Sequence, residues 1–177
     1  AKTDVLVIVN ASGGGHKSIV GINLPFSDDR REKPAFELHE IEAVREWVQQ
    51  GGSLLLIADH SPYGAASAQM AGAFGVTMYQ GFTEIPNEKS DPMEFSRANG
   101  RLPDHAIVAG RDSTSNIERV FTFTGQSLDG PDDATILLAL PDSAIEYIPE
   151  RQGEGQTRMR EADAGTAQGL AFDYGKG

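Results

Sequence analysis

Residues 37–58 read ELHEIEAVREWVQQGGSLLLIA, and the spacing of apolar side chains in this stretch sets the expected fold. Ile41, Val44, Trp47 and Val48 recur at helical spacing, which predicts a helix over Glu37 to Gln50. Phe36 and Ile41 are spaced for a hydrophobic staple, and Glu40 is placed to reach back to the first turn. Gly51-Gly52 then supplies a left-handed exit. Ser53 to Ala58 is apolar without alternation, the pattern of a strand covered on both faces. A helix that runs straight into such a strand is half of a βαβ unit and predicts parallel pairing.

Working outward, Val5 to Val9 is a second unbroken run of Val, Leu and Ile, and reads as the parallel partner. Ala11 to Pro34 between them is long for a connection and reads as a functional loop or a mobile one. Ala65 to Phe74 is an Ala-rich helix closed by Gly75, followed by a short strand over Val76 to Tyr79. Gln80 to Asp104, with Pro86, Pro92 and Pro103, reads as irregular. Val120 to Thr124 and Ala134 to Leu140 read as strands, the latter forming a hairpin with Ala144 to Ile148 across Pro141-Asp142. Glu150 to Gly165 reads as a loop, Gly169 to Asp173 as a strand, and Gly175 to Gly177 as a turn.

The 177 residues are enough for one domain and short for two. A chain of this size buries roughly 70% of its unfolded surface, so a core forms without covalent staples. Acidic residues outnumber basic ones 26 to 15, for a net charge of −11. That balance argues against nucleic acid and anionic membranes as partners, since both reward clustered Lys and Arg. No apolar run approaches the roughly 20 residues that span a bilayer, so membrane insertion is not expected. Cysteine is absent, which excludes disulfides, thiolate metal sites and a Cys nucleophile. The chain starts Ala1-Lys2 without Met and reads as a processed or trimmed piece.

Two stretches invite chemistry. Ser12-Gly13-Gly14-Gly15-His16-Lys17-Ser18 follows a strand, but a phosphate loop needs Gly directly before its Lys, and His16 stands there. A third spaced Gly is replaced by Ser18, so a flexible loop is the better reading. Asp59-His60-Ser61 sits at the C-terminal end of the predicted Ser53 to Ala58 strand, where open α/β sheets bind ligands. In extended backbone, neighbours point to opposite sides, so these three are not expected to form a triad among themselves. Pro62 follows Ser61 and has no N–H for an oxyanion hole, which makes Ser61 a poor nucleophile. The plain reading has Asp59 and Ser61 capping the loop and next helix. The chemical reading is a hydrolase using Asp59 and His60, metal-assisted with His105. His39 on the long helix and His105, in a loop entering a strand, have plain structural readings too, and no H-x-H or H-E-x-x-H spacing is present.

The stretch from Glu40 to Gly64 resembles the helix, Gly-Gly and strand unit of the class I glutamine amidotransferase-like superfamily. It is closest to the branches without amidotransferase activity: the ThuA-like proteins and related uncharacterised bacterial proteins. Asp104 to Arg111, Phe121 to Leu128 and Phe172 to Gly177 look like further segments of that group, Ala106 replacing a Pro. The resemblance implies a flavodoxin-like three-layer α/β/α sandwich with a mostly parallel sheet over residues 1–177. It also implies an incomplete domain, with elements of the sandwich missing before Val5 and after Gly177. Amidotransferases of the superfamily carry a Cys nucleophile where Ala58 or Asp59 stands here, so glutaminase chemistry is excluded and no catalytic residue carries over.

What remains is a non-catalytic domain that binds a small polar ligand, carbohydrate being one class, or a protein partner. Its candidate ligand-binding residues are Asn10, Asp59, His60, Ser61 and His105. No metal or cofactor is expected, self-association stays open, and the resemblance leaves the compartment open with a hint of export to the periplasm or beyond.

Overall fold

The computed structural model describes residues 3–13, 18–19, 22–23, 33–88, 92–112, 114–151 and 157–177. Gly14 to Lys17 of the Gly-rich stretch, and residues 24–32 of the long connection, lie outside the described residues.

The predicted unit at 37–58 is present. Helix α1 (Leu38–Gln49) opens with a capping box, in which the Glu37 N–H donates to Glu40 Oε2 at 2.9 Å and Glu37 in turn accepts from Glu40. Gly51, at φ 113°, adopts the left-handed conformation that ends the helix. Gly52 lets the chain pass beneath Trp47, since a Cβ there would lie 2.2 Å from the indole. Strand β1 (Val5–Val9) pairs with β4 (Ser53–Ile57) in parallel, Val5 facing Ser53 and Val9 facing Ile57. Ile8, Leu54 and Leu56 turn inward and pack with Ile41, Val44, Trp47 and Val48 of α1. Met70 of α2 (Tyr63–Gly72) and Phe74 beyond it complete this core, with Phe172 and Tyr174 closing one side.

The expected flavodoxin-like sandwich does not form. The β1–β4 pair is the one parallel sheet among the described residues, and the other strands pair antiparallel. Strands β2 (Ser18–Ile19) and β3 (Ile22–Asn23) make a small hairpin inside the long connection. Four strands run in the order β10 (Thr135–Ala139), β13 (Ala167–Ala171), β9 (Leu128–Asp129) and β5 (Thr77–Met78). A second sheet runs β12 (Thr157–Asp163), β11 (Ile145–Arg151), β6 (Phe82–Glu84). Strands β7 (Met93–Ser96) and β8 (Arg119–Thr122) form a further ladder. Phe95, Met93, Ile85 and Ala144 make a second core, packed against Val120, Leu138, Leu140 and Ala164.

The physical reason for the correction lies in β1 and β4 themselves. Their burial alternates along both strands, so among the described residues each run is covered on one face, the side of α1 and α2. An unbroken apolar run is compatible with one covered face as well as two. Four local expectations also change. The stretch from Gln80 to Asp104, expected to be irregular, carries β6 and β7, whose pairing with β11 and β8 no local pattern announces. Strand β10 pairs with β13, so no hairpin joins it to β11. The expected loop from Glu150 to Gly165 contains β12, seven residues in antiparallel register with β11. The segment after His105 is a short helix, α3 (Ala106–Ala109), where a strand was expected.

Candidate functional site

The two parallel strands end together at Asn10 and Ala58. The Asn10 N–H donates to the Ile57 carbonyl at 2.9 Å, and its side-chain Oδ1 accepts from the Asp59 N–H at 3.1 Å. Asn10 holds φ 50°, a left-handed turn that Asn tolerates better than most residues. The Ala58 carbonyl accepts from Gln126 Nε2 at 2.7 Å. Gln126 is buried, and its Oε1 has no partner among the described residues. Gly64 packs against the same amide: a Cβ there would stand 2.8 Å from the Tyr79 carbonyl oxygen and 3.1 Å from Gln126 Cδ. The strand end, the start of α2 and the 125–127 segment are thereby locked together.

On this frame the chain bends at His60, and Asp59 and His60 turn toward one another. Asp59 Oδ1 contacts His60 Nδ1 directly. The expectation that these neighbours point apart is corrected, because the backbone leaves the extended conformation at the end of β4. The carboxylate orients the ring and leaves Nε2 without a partner among the described residues. Both side chains are about half exposed, and the Tyr63 ring meets the imidazole edge to face at 5.0 Å between centroids. The Ser61–Pro62 peptide is cis.

Ser61 looks into a cleft of about 430 Å³, lined also by Pro62, Ala65, Gln80, Ile148, Pro149 and Glu150. Gln80 arrives from the segment between β5 and β6, held alongside 125–127 by Tyr79 N–H to Ser127 O at 3.0 Å and Thr83 N–H to Gly125 O at 2.8 Å. Glu150 arrives from β11, and Arg160 of β12 donates to its carboxylate. Gln80 and Glu150 carry no local signal, since they enter the site through the pairing of distant segments.

Further along β11 lies a feature that the sequence reading missed. Glu146 of β11 is fully buried, and four donors face its carboxylate. Oε1 accepts from the Gly81 N–H at 2.9 Å, and Oε2 accepts from Thr83 Oγ1 at 2.8 Å, from the Ser127 N–H at 3.0 Å and from Ser127 Oγ at 2.8 Å. Ser127 Oγ in turn accepts from the Gly165 N–H at 2.8 Å. Nearby, burial pushes the Tyr79 phenol above its ordinary pKa, reinforced by its hydrogen bond to Asp129 at 3.0 Å. These groups tie β11 and β6 of the three-stranded sheet to the 127–129 and 165 segments that flank the four-stranded one.

The structure brings Asn10, Asp59, His60 and Ser61 together at one strand end. His105 is used elsewhere: its Nδ1 accepts from the Ile107 N–H at 3.2 Å and caps α3. Among the described residues no three His, Asp or Glu side chains group to hold a metal ion. No helix among them is long and apolar enough to cross a membrane. Neither a protein-family model, nor a curated protein, nor a solved structure matches the chain. With no family match and a mostly antiparallel architecture, the amidotransferase-like, ThuA-like and flavodoxin-like descriptions are withdrawn.

Proposed function

We propose that this chain binds a small, hydroxylated polar ligand of the carbohydrate class in the cleft between the 58–62 loop and β11. One observation carries the reading: at the end of β4 the fold assembles a cleft of about 430 Å³ with polar groups from three distant segments, Ser61, Gln80 and Glu150. That volume falls in the range of small-molecule sites. The amide, carboxylate and hydroxyl offer acceptors and donors for hydroxyl groups, while Pro62, Ala65, Ile148 and Pro149 offer apolar walls for C–H faces. The net charge of −11 disfavours anionic ligands.

The test is a thermal-shift screen of the chain against neutral mono- and disaccharides, followed by calorimetry. A ligand at 100 times its Kd stabilises by about 2.7 kcal/mol, which raises Tm by roughly 5–11 °C for a domain of this size. Gln80→Ala and Glu150→Ala remove the response. A panel without a single shift contradicts the reading.

The Asp59–His60 contact favours a second reading, hydrolysis of a bound ligand. A ring held at Nδ1 by a carboxylate and open at Nε2 is the arrangement of a general base that activates water. His60→Gln separates the two: it abolishes turnover of a bound glycoside or ester under the second, and leaves none to abolish under the first. His60→Ala is expected to fold, since the side chain is about half exposed.

A further inference from the structure

One peptide group, at the end of β4, is held at both of its polar ends by side-chain amides. The Ala58 carbonyl accepts from Gln126 Nε2 at 2.7 Å, and the N–H of the same peptide, that of Asp59, donates to Asn10 Oδ1 at 3.1 Å. The two amides come from distant segments, Asn10 following β1 and Gln126 preceding β9. Each is itself fixed. The Asn10 N–H donates to the Ile57 carbonyl at 2.9 Å, and the residue holds φ 50°. Gln126 is 4% exposed and packs against Gly64 of α2. Water satisfies a peptide at an open strand end, whereas two ordered side chains on one peptide cost entropy and fix its orientation.

That orientation sets where Asp59 points. Its Oδ1 contacts Nδ1 of His60. The Tyr63 ring stands edge to face on the imidazole, and the Tyr63 N–H donates to the His60 carbonyl at 2.9 Å. The ring is thus held through its backbone, through Nδ1 and against an aromatic neighbour, while Nε2 has no partner among the described residues. An ionised carboxylate only accepts, so the proton of the neutral ring sits on Nδ1 and the lone pair on Nε2. A free imidazole side chain favours the opposite tautomer.

We infer that Asn10 and Gln126 are positioning residues for His60: by clamping the Ala58–Asp59 peptide they keep the Asp59 carboxylate on Nδ1 and the ring in the tautomer whose Nε2 can take a proton. The inference rests on the hydrolytic reading of the Asp59–His60 pair, which requires that form. In that reading a water O–H breaks as its oxygen bonds to the carbonyl carbon of an ester. Nε2 takes the proton and returns it to the departing alcohol, and the Nδ1 proton stays on the ring.

The test reads the tautomer directly. Long-range ¹H–¹⁵N correlation spectra of the ¹⁵N-histidine-labelled chain separate the two forms by their nitrogen shifts, at about pH 9, where imidazole is neutral. His60→Gln assigns the signal. The Nδ1–H form is expected to dominate at His60. His105, whose Nδ1 accepts from the Ile107 N–H, is expected in the Nε2–H form and serves as the internal control. Asn10→Gly removes Oδ1 and keeps φ 50° accessible. It lowers the Nδ1–H to Nε2–H ratio at His60 about fivefold or more, the effect one hydrogen bond carries, and leaves His105 unchanged. Gln126→Met, which removes the donor to Ala58, acts in the same direction; Asn10→Gly decides alone if Gln126→Met fails the Trp47 unfolding assay. A majority of Nε2–H at His60 in the wild type overturns the inference, and so does an Nδ1–H majority that Asn10→Gly leaves unchanged. Hydrolysis of 4-nitrophenyl acetate is read in parallel. A chain that shows the tautomer change without turnover keeps the positioning and refutes the hydrolytic reading. Turnover that His60→Gln abolishes, from a His60 in the Nε2–H form, does the reverse.

Discussion

Replacing Glu146 by Gln keeps the shape of the side chain and removes one acceptor oxygen. Oε2 serves Thr83 Oγ1, the Ser127 N–H and Ser127 Oγ, while Oε1 serves the Gly81 N–H. The two hydroxyls can rotate and accept from an amide NH₂, but the two backbone N–H groups cannot. If the amide oxygen takes the Oε2 position, Gly81 N–H is left facing an NH₂. If it takes the Oε1 position, Ser127 N–H is left so. Either way one buried backbone donor is orphaned, which costs about 1–3 kcal/mol. The remaining hydrogen bonds lose their charge assistance, so the total is about 3 kcal/mol. For a chain of this length that lowers Tm by roughly 6–12 °C. Trp47, the sole tryptophan, packs in the main core and reports guanidinium unfolding by fluorescence. Glu146→Gln is expected to lower the midpoint with an unchanged slope, which assigns the loss to stability itself. Glu146→Ala orphans all four donors and costs about 4 kcal/mol or more, close to the whole stability of a small domain. A Glu146→Gln protein within about 0.5 kcal/mol of wild type refutes the buried cage.

Three further outcomes are expected. Gly64→Ala improves helix propensity by about 1 kcal/mol, yet its Cβ would meet the Tyr79 carbonyl oxygen at 2.8 Å, so denaturation should show net destabilisation of about 1–3 kcal/mol; a more stable variant refutes the close packing of α2. His105→Ala removes the α3 cap and costs about 1 kcal/mol, while the saccharide response of the cleft is unchanged; loss of that response would return His105 to the site. The Arg101 guanidinium grips Glu88 through two hydrogen bonds, of 2.9 and 2.6 Å, and holds its carboxyl below the usual value. A depressed folded pKa means the contribution is present above the unfolded value near 4.5 and is lost as pH falls through the folded value. The Tm gap between wild type and Arg101→Gln should therefore narrow from pH 7 to pH 3, and a constant gap contradicts the pairing.

Legibility in the sequence follows the range of the forces. Helix α1, its glycine exit and strand β4 were readable because Ile41, Val44, Val48 and the Leu54 to Leu56 run are local patterns that the core uses directly. Strand β12 was not, since Arg158, Met159, Arg160 and Glu161 are all exposed and its only determinant is the ladder with β11. The pairing of β10 with β13 joins segments about thirty residues apart, and no turn chemistry at Pro141-Asp142 overrides it. The parallel sandwich was over-read from runs that, among the described residues, are covered on one face. At the site, the strand-end position of Asp59 and His60 was legible, while their contact was hidden by the assumption of extended backbone. Gln80, Gln126, Glu146 and Glu150 depend on tertiary register and leave no mark in local spacing.

The central claim is that the cleft beside the 58–62 loop is the binding site. Amide chemical-shift mapping of the ¹⁵N-labelled chain, titrated with the neutral saccharide panel, tests it most directly. The account predicts saturable shifts grouped at Ser61, Tyr63, Ala65, Gln80, Ile148 and Glu150, abolished by Gln80→Ala. No shift with any saccharide, or shifts centred on a distant surface such as Phe121 to Phe123, would contradict it.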